Sequence, residues 1–225
     1  MAKRTEKKDG APRIVLIGGI FAVASMVVSL VFVLGAVFTY TIFPLRPIPF
    51  SGILSGLPYP YWTFNTGYSM TSQAISELGI GPSAFMFNVG LIIAGILGIP
   101  VFPGLQGLFR GSIIAKIAAV FGAIGAVGAI GVGLFPMILT PYHGLFAFTF
   151  FICSGVAIVL LSIKIFRSTT VPKALAIYGF IFVVVDVIFI LLLSVIAEWA
   201  VYFLISTWIL AAGIWVLVKR NAIEV

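Results

Sequence analysis

The sequence predicts an all-α protein: a polytopic membrane helix bundle with six transmembrane helices and a short interfacial helix near residues 69–78. Three observations carry that expectation. Hydrophobic residues make up 62% of the 225-residue chain and charged residues only 8%, a balance that a soluble domain cannot cover with polar surface. Mean hydropathy is +1.26. Six apolar runs, at about 14–40, 84–107, 113–138, 144–166, 173–197 and 199–218, each reach the roughly 20 residues that a helix needs to cross a hydrocarbon core about 30 Å thick. Backbone groups in lipid must pair within their own segment, so each run is expected to be a helix.

Taken in order, residues 1–13 form a basic tail with Lys3, Arg4, Lys7, Lys8 and Arg13. The first run is too long for the apolar part of a cleaved signal peptide and shows no small-residue cleavage pattern, so it is expected to stay in the mature protein. Arg110, Lys116, Lys164, Arg167, Lys173, Lys219 and Arg220 flank later runs on the same side of an alternating six-span arrangement, leaving Arg46 alone on the other. Basic residues in short loops stay inside. The expected location is therefore the cell membrane, multi-pass, with the 1–13 and 219–225 tails cytoplasmic and 14–218 forming the transmembrane domain. The net charge of +7 reads as this bias and as attraction to anionic headgroups, not as a nucleic-acid footprint.

Residues 44–68, "PLRPIPFSGILSGLPYPYWTFNTGY", hold five prolines, which argue against regular structure, and six aromatics, which argue against a disordered linker. They are expected to form an ordered extracytoplasmic cap. Its aromatics, Trp62 among them, suit either an interfacial belt or a lid over a pocket. In the interfacial helix, Met70, Ala74, Ile75 and Leu78 share one face. "GIGP" then reads as a hinge, with Gly79 as a left-handed stop and Pro82 at the start of the second span. The hinge is expected to turn Glu77 back toward the bundle, near Asn88 one to two turns inside the membrane.

The second run carries Pro100 and Pro103, expected to kink or shorten it. The third, with Gly122, Gly125, Gly128 and Gly131, reads as a packing surface placed in the bundle centre, since small residues let helices approach closely; a nucleotide loop needs a strand before it, which is missing. Between the third and fourth runs, Pro136 and Pro141 bracket a turn leading to His143, the sole histidine. Glu77 and His143 then belong to one face, where the pair can serve proton transfer, phosphate anchoring or structural hydrogen bonding. One histidine and one cysteine, Cys153, give no metal or redox spacing, so no metal or cofactor is expected. In the fifth run Asp186 is expected to face other helices and either be protonated or bond to Ser154, Ser206 or Thr207. Glu198 reads as a loop charge between the fifth and sixth runs.

The combination "YSMTSQAISELG", "FMFNVGLIIAGI", "GVGLFPM" and "HGLFAFTFF" resembles the prokaryotic membrane family known as domain of unknown function 998, over about residues 14–215. The resemblance marks Ser76, Glu77, Gly79, Asn88, Gly90, Gly133, Pro136 and His143 as signature positions. That family is distantly similar to the six-helix post-GPI-attachment and DRAM-type membrane proteins associated with lipid handling, which implies a lipid direction without a reaction. The function expected is thus binding of a membrane lipid or amphiphile, or of a membrane-protein partner or second copy, at Ser76, Glu77, Asn88, His143 and Trp62. A membrane enzyme acting on a lipid headgroup or acyl linkage, with Glu77 or His143 as acid or base, is the alternative. A small-molecule transporter ranks third, because no inverted repeat and only one midplane charge are visible.

Overall fold

A computed structural model describes residues 12–42, 67–139 and 141–221. Arg46, Trp62 and nearly all of the expected 44–68 cap lie outside them. Within the described residues six helices are long and apolar enough to cross a membrane: Arg13–Ile42 (α1), Ala84–Phe109, Ile113–Leu134 (α4), Tyr142–Phe166 (α5), Lys173–Leu192 (α6) and Val195–Val218 (α7). The second span is two helices, Ala84–Gly98 (α2) and Val101–Gln106 (α3), followed by a 3-10 turn at Gly107–Phe109. Its break falls at Ile99–Pro100. Neither Pro100 nor Pro103 has an N–H to continue the ladder.

The spans follow one another around a ring. Each packs on its neighbours in sequence, α3 packs on both α1 and α4, and α7 closes the circuit against α1. Small residues set the closest approaches. At the α1–α3 crossing, a Cβ on Gly18 would lie 2.5 Å from the Cα of Gly104. Along α4, Gly125, Gly128 and Gly131 receive Ser154, Phe150 and Phe146 of α5, while Gly122 receives the ring of Phe102. The glycine-rich helix is therefore a packing surface, but it is not central. Its other face presents Ile113, Ile117, Val120, Ile124, Val127 and Leu134 outward, at the three- and four-residue steps of a lipid-facing stripe.

Three expected boundaries differ. The interfacial helix is only a 3-10 turn, Ile75–Gly79, because side chains claim the backbone groups that a longer helix would use. The Tyr68 hydroxyl donates to the carbonyls of Gln73 and Ala74 (3.1 and 2.6 Å), and the Gln73 amide oxygen accepts from the Ser69 N–H (2.9 Å). The polar Gln73, just before the turn, and Ser76 within it are both buried. Gly79 is not left-handed, since among described glycines only Gly67 and Gly111 have positive φ. A Cβ there would instead meet Asn88 Oδ1 at 2.7 Å, and α2 begins at Ala84 rather than Pro82. Finally, α6 stops at Leu192 with Leu193 left-handed (φ 47°), so Glu198 lies in the first turn of α7 and not in a loop.

Candidate functional site

At the end of the bundle where α1 leaves and α2, α5 and α7 begin, the 3-10 turn is wedged against α1, α2, α7 and the short turn Met137–Leu139. Hydrogen bonds fix it from every side. Asn88 Nδ2 of α2 donates to the Gly79 carbonyl (3.0 Å), Ser83 Oγ to that of Leu78 (3.1 Å) and Trp199 Nε1 of α7 to that of Gln73 (3.3 Å). The Ile75 N–H donates to Glu198 Oε2 (3.3 Å). Behind the turn, Tyr40, Tyr68, Trp199 and Tyr202 stack edge to face with ring centroids 5.5, 5.9 and 6.1 Å apart. Burial holds the Tyr68 phenol well above its ordinary pKa, so it remains a hydrogen-bond donor to this turn.

This frame encloses a cavity of about 40 Å³ whose polar lining comes from Ser76 of the turn, His143 of α5 and Glu198 and Tyr202 of α7, with Phe87, Leu91, Phe150 and Phe151 among the apolar walls. His143 and Glu198 are 8% and 9% exposed. His143 Nδ1 lies 2.9 Å from the Phe135 carbonyl. A carbonyl only accepts, so that nitrogen carries the proton and the neutral ring keeps Nε2 as an acceptor. Ser76 Oγ donates to Met137 Sδ (3.6 Å).

A second cavity of about 70 Å³ continues toward the bundle centre. The two share Leu91, Ala129, Phe150 and Tyr202 as walls. The inner one is apolar except for Ser29, Ser154, Ser206 and Tyr202, and its deep end reaches Gly98, Phe102 and Gly122. Tyr202 divides the pair, with its hydroxyl 3.0 Å from Ser29 Oγ. Every span except α6 contributes to this lining.

The residues expected from sequence separate into two groups. Ser76 and His143 meet at the outer cavity. Glu77 does not line it: its carboxylate turns to its own segment, Oε1 accepting from the Ala74 N–H (3.0 Å) and Oε2 from Gln73 Nε2 (3.3 Å). Asn88 acts as the tie to Gly79, with its Oδ1 buried and without a hydrogen-bond partner among the described residues. Trp62 lies outside the described residues. Among the described residues no group of three or more His, Cys, Asp or Glu could hold a metal ion.

Asp186 is buried, with Oδ2 against Gly155 of α5. The expected hydrogen bonds to it are missing. Ser154 and Ser206 line the inner cavity, Thr207 bonds Tyr178 and the Phe203 carbonyl on the outer surface, and Asp186 Oδ1 has no hydrogen-bond partner among the described residues.

Sequence reading missed Glu198 and Tyr202. The available signal was the spacing of Glu198, Tyr202 and Ser206, four residues apart on one helical face, which runs the polar stripe about 12 Å along α7. An apolar run carried through Leu193–Ser194 hid it by placing Glu198 in a loop.

The family described as "Protein of unknown function (DUF998)" matches residues 51–215. No curated protein and no solved structure matches the chain.

Proposed function

The chain belongs to the DUF998 family of proteins of unknown function, and we propose that it is a membrane protein that binds an amphiphile within its helix ring. The headgroup sits at Ser76, His143 and Glu198, and the first few methylenes of the tail enter the inner cavity of about 70 Å³ past Tyr202. One observation carries this reading: two cavities with common walls, polar at the end of the bundle and nearly apolar toward its centre. An amphiphile has the same division, and ligand sites between the helices of bundles are typically apolar with a few polar groups fixing orientation. The positive-inside bias supports an extracytoplasmic position for the polar end.

Ser76, His143 and Glu198 are also residue types used in acyl transfer, but Ser76 bonds Met137 and His143 bonds the Phe135 carbonyl instead of one another. Binding therefore has more support than catalysis. The test is native mass spectrometry of the purified full chain. Ala129, at the shared wall, is replaced by Phe, with Phe85→Ala on the outer surface (81% exposed) as control. Ala129→Phe is expected to lose co-purified amphiphile at least about tenfold, as steric exclusion from a site requires, while Phe85→Ala keeps it. Equal retention in a folded Ala129→Phe protein refutes the reading, and headgroup change in bound lipid on incubation favours an enzyme.

A further inference from the structure

Charge in this chain is divided between the two ends of the bundle. All eight described Lys and Arg lie at the end where α1 begins and α7 finishes: beside those two termini, around the start of α4 and around the turn between α5 and α6. The three described acids lie elsewhere, Glu77 and Glu198 at the opposite end and Asp186 in the half of α6 nearer to it. The tails that continue from the basic end do not restore the balance. Residues 1–11 carry four Lys or Arg against Glu6 and Asp9, and residues 222–225 carry Glu224, while Arg46 follows the opposite end of α1. The basic end therefore draws anions from outside the chain.

The turn between α5 and α6 sets two of these cations above apolar surface. Arg167 caps the end of α5 and Lys173 opens α6, both exposed. The turn between them is pinned, with Ser168 Oγ accepting from the N–H groups of Thr170 and Val171 (3.2 and 3.3 Å). A cation suits the last turn of a helix and is disfavoured in the first, so the helix ends account for Arg167 and not for Lys173. The Lys173 ammonium instead lies 5.7 Å from the centroid of Phe166, an exposed ring that meets Phe180 edge to face at 6.3 Å. Beyond it, Ile177, Ile181 and Val184 continue the same outward face of α6 at three- and four-residue steps. A cation at the head of an apolar stripe matches a phospholipid, whose phosphate stands above its acyl chains. A soluble polyanion would meet the charge and leave the stripe uncovered.

We propose that the α5–α6 turn is a binding surface for an anionic phospholipid of the leaflet at the basic end. Arg167 and Lys173 hold the phosphate, and the acyl chains lie along Phe166, Ile177 and Ile181 on the outside of the bundle. This surface is separate from the two cavities, to which α6 contributes no residue, and it does not depend on what they bind.

The test titrates the purified full chain, in neutral detergent, with phosphatidylglycerol and phosphatidylcholine of the same acyl chains, and reads binding by native mass spectrometry. Phosphatidylglycerol is expected to bind roughly 5- to 25-fold more tightly, as two surface cations contributing about fivefold each allow. The preference should fade in about 1 M salt, which screens exposed charges within a few ångströms. Arg167→Gln combined with Lys173→Gln should bring the two lipids within about twofold of each other. Lys164→Gln should keep the preference, because Lys164 lies on the opposite side of α5 from Phe166 with its ammonium 6.0 Å from the Phe109 centroid. Equal binding of the two lipids by wild type, a preference that survives the double substitution, or one lost equally in Lys164→Gln overturns the proposal. If the double variant does not fold, Arg167→Gln alone and the salt series decide on the same terms. An RNA oligonucleotide that binds the lipid-free protein more tightly than phosphatidylglycerol assigns the charge to nucleic acid and overturns it too. A preference lost in Ala129→Phe would put the anionic lipid inside the ring and overturn the surface site, whereas failure of the amphiphile reading leaves the surface site standing.

Discussion

Gly128→Ala places a methyl group where α4 meets α5 most closely. An ideal Cβ at Gly128 falls 2.6 Å from the backbone nitrogen of Phe150, 2.9 Å from its Cα and 3.0 Å from the Phe146 carbonyl oxygen. Carbon contacts are comfortable near 3.5–4.0 Å, so the helices must part locally by on the order of 1 Å. The obstructing atoms are backbone and cannot rotate aside. Alanine's helix propensity returns about 0.8–1.0 kcal/mol over glycine, whereas overpacking a fitted interface costs about 1–3 kcal/mol. Parting the helices also loosens the neighbouring Gly125–Ser154 and Gly131–Phe146 contacts, which puts the cost at the upper end. The expected net loss is about 1–2 kcal/mol, or a fall in Tm of about 2–8 °C for a chain of this size. The assay is a tryptophan-fluorescence melt in detergent, with Gly144→Ala as control because a Cβ there meets nothing within 4 Å. If Gly128→Ala melts at or above wild type, the close-approach account of α4 is wrong.

Three further outcomes follow from particular contacts. Asp186 Oδ1 has no hydrogen-bond partner among the described residues, so Asp186→Leu should be neutral or stabilising by up to about 1–3 kcal/mol in the same melt; a clear loss there, with Asp186→Asn tolerated, would show that a polar group depends on it. Glu77→Ala should cost about 1 kcal/mol by removing the acceptor for the Ala74 N–H, with amphiphile retention unchanged, whereas loss of retention without loss of stability would return Glu77 to the ligand site. Cysteine at the exposed Thr71, in a Cys153→Ser background, should react with an impermeant thiol reagent in intact cells; reaction only after permeabilisation reverses the orientation.

The six spans were legible because length and hydropathy alone define them in lipid. Their ends were less so, because an end is set by local bonds that hydropathy does not register: Leu193 turns left-handed inside an unbroken apolar run, and the 69–78 segment is held to a short 3-10 turn by Tyr68, Gln73 and Trp199. Ser76 and His143 could be placed at one level from the turns that precede them. Glu77 could not be assigned from sequence, since "AISEL" leaves its carboxylate free either to cap Ala74 or to face the bundle, and the cap is three residues away. Glu198 was reachable through its four-residue spacing to Tyr202 and Ser206. The α4 glycines identified a packing face, but whether that face met a central helix or two ring neighbours depended on how all six spans close, which no single segment encodes.

The central claim is that an amphiphile's chain lies inside the helix ring, and photocrosslinking tests it most directly. An amphiphile with a diazirine on the methylenes next to its headgroup is bound to the purified full chain, irradiated, and the adducts are mapped by peptide mass spectrometry. Adducts are expected at inner-cavity residues such as Met26, Phe150, Tyr202 and Ile209, abolished by Ala129→Phe. Adducts confined to outward-facing residues such as Phe85, Ile124 and Leu191, unaffected by that substitution, would contradict it.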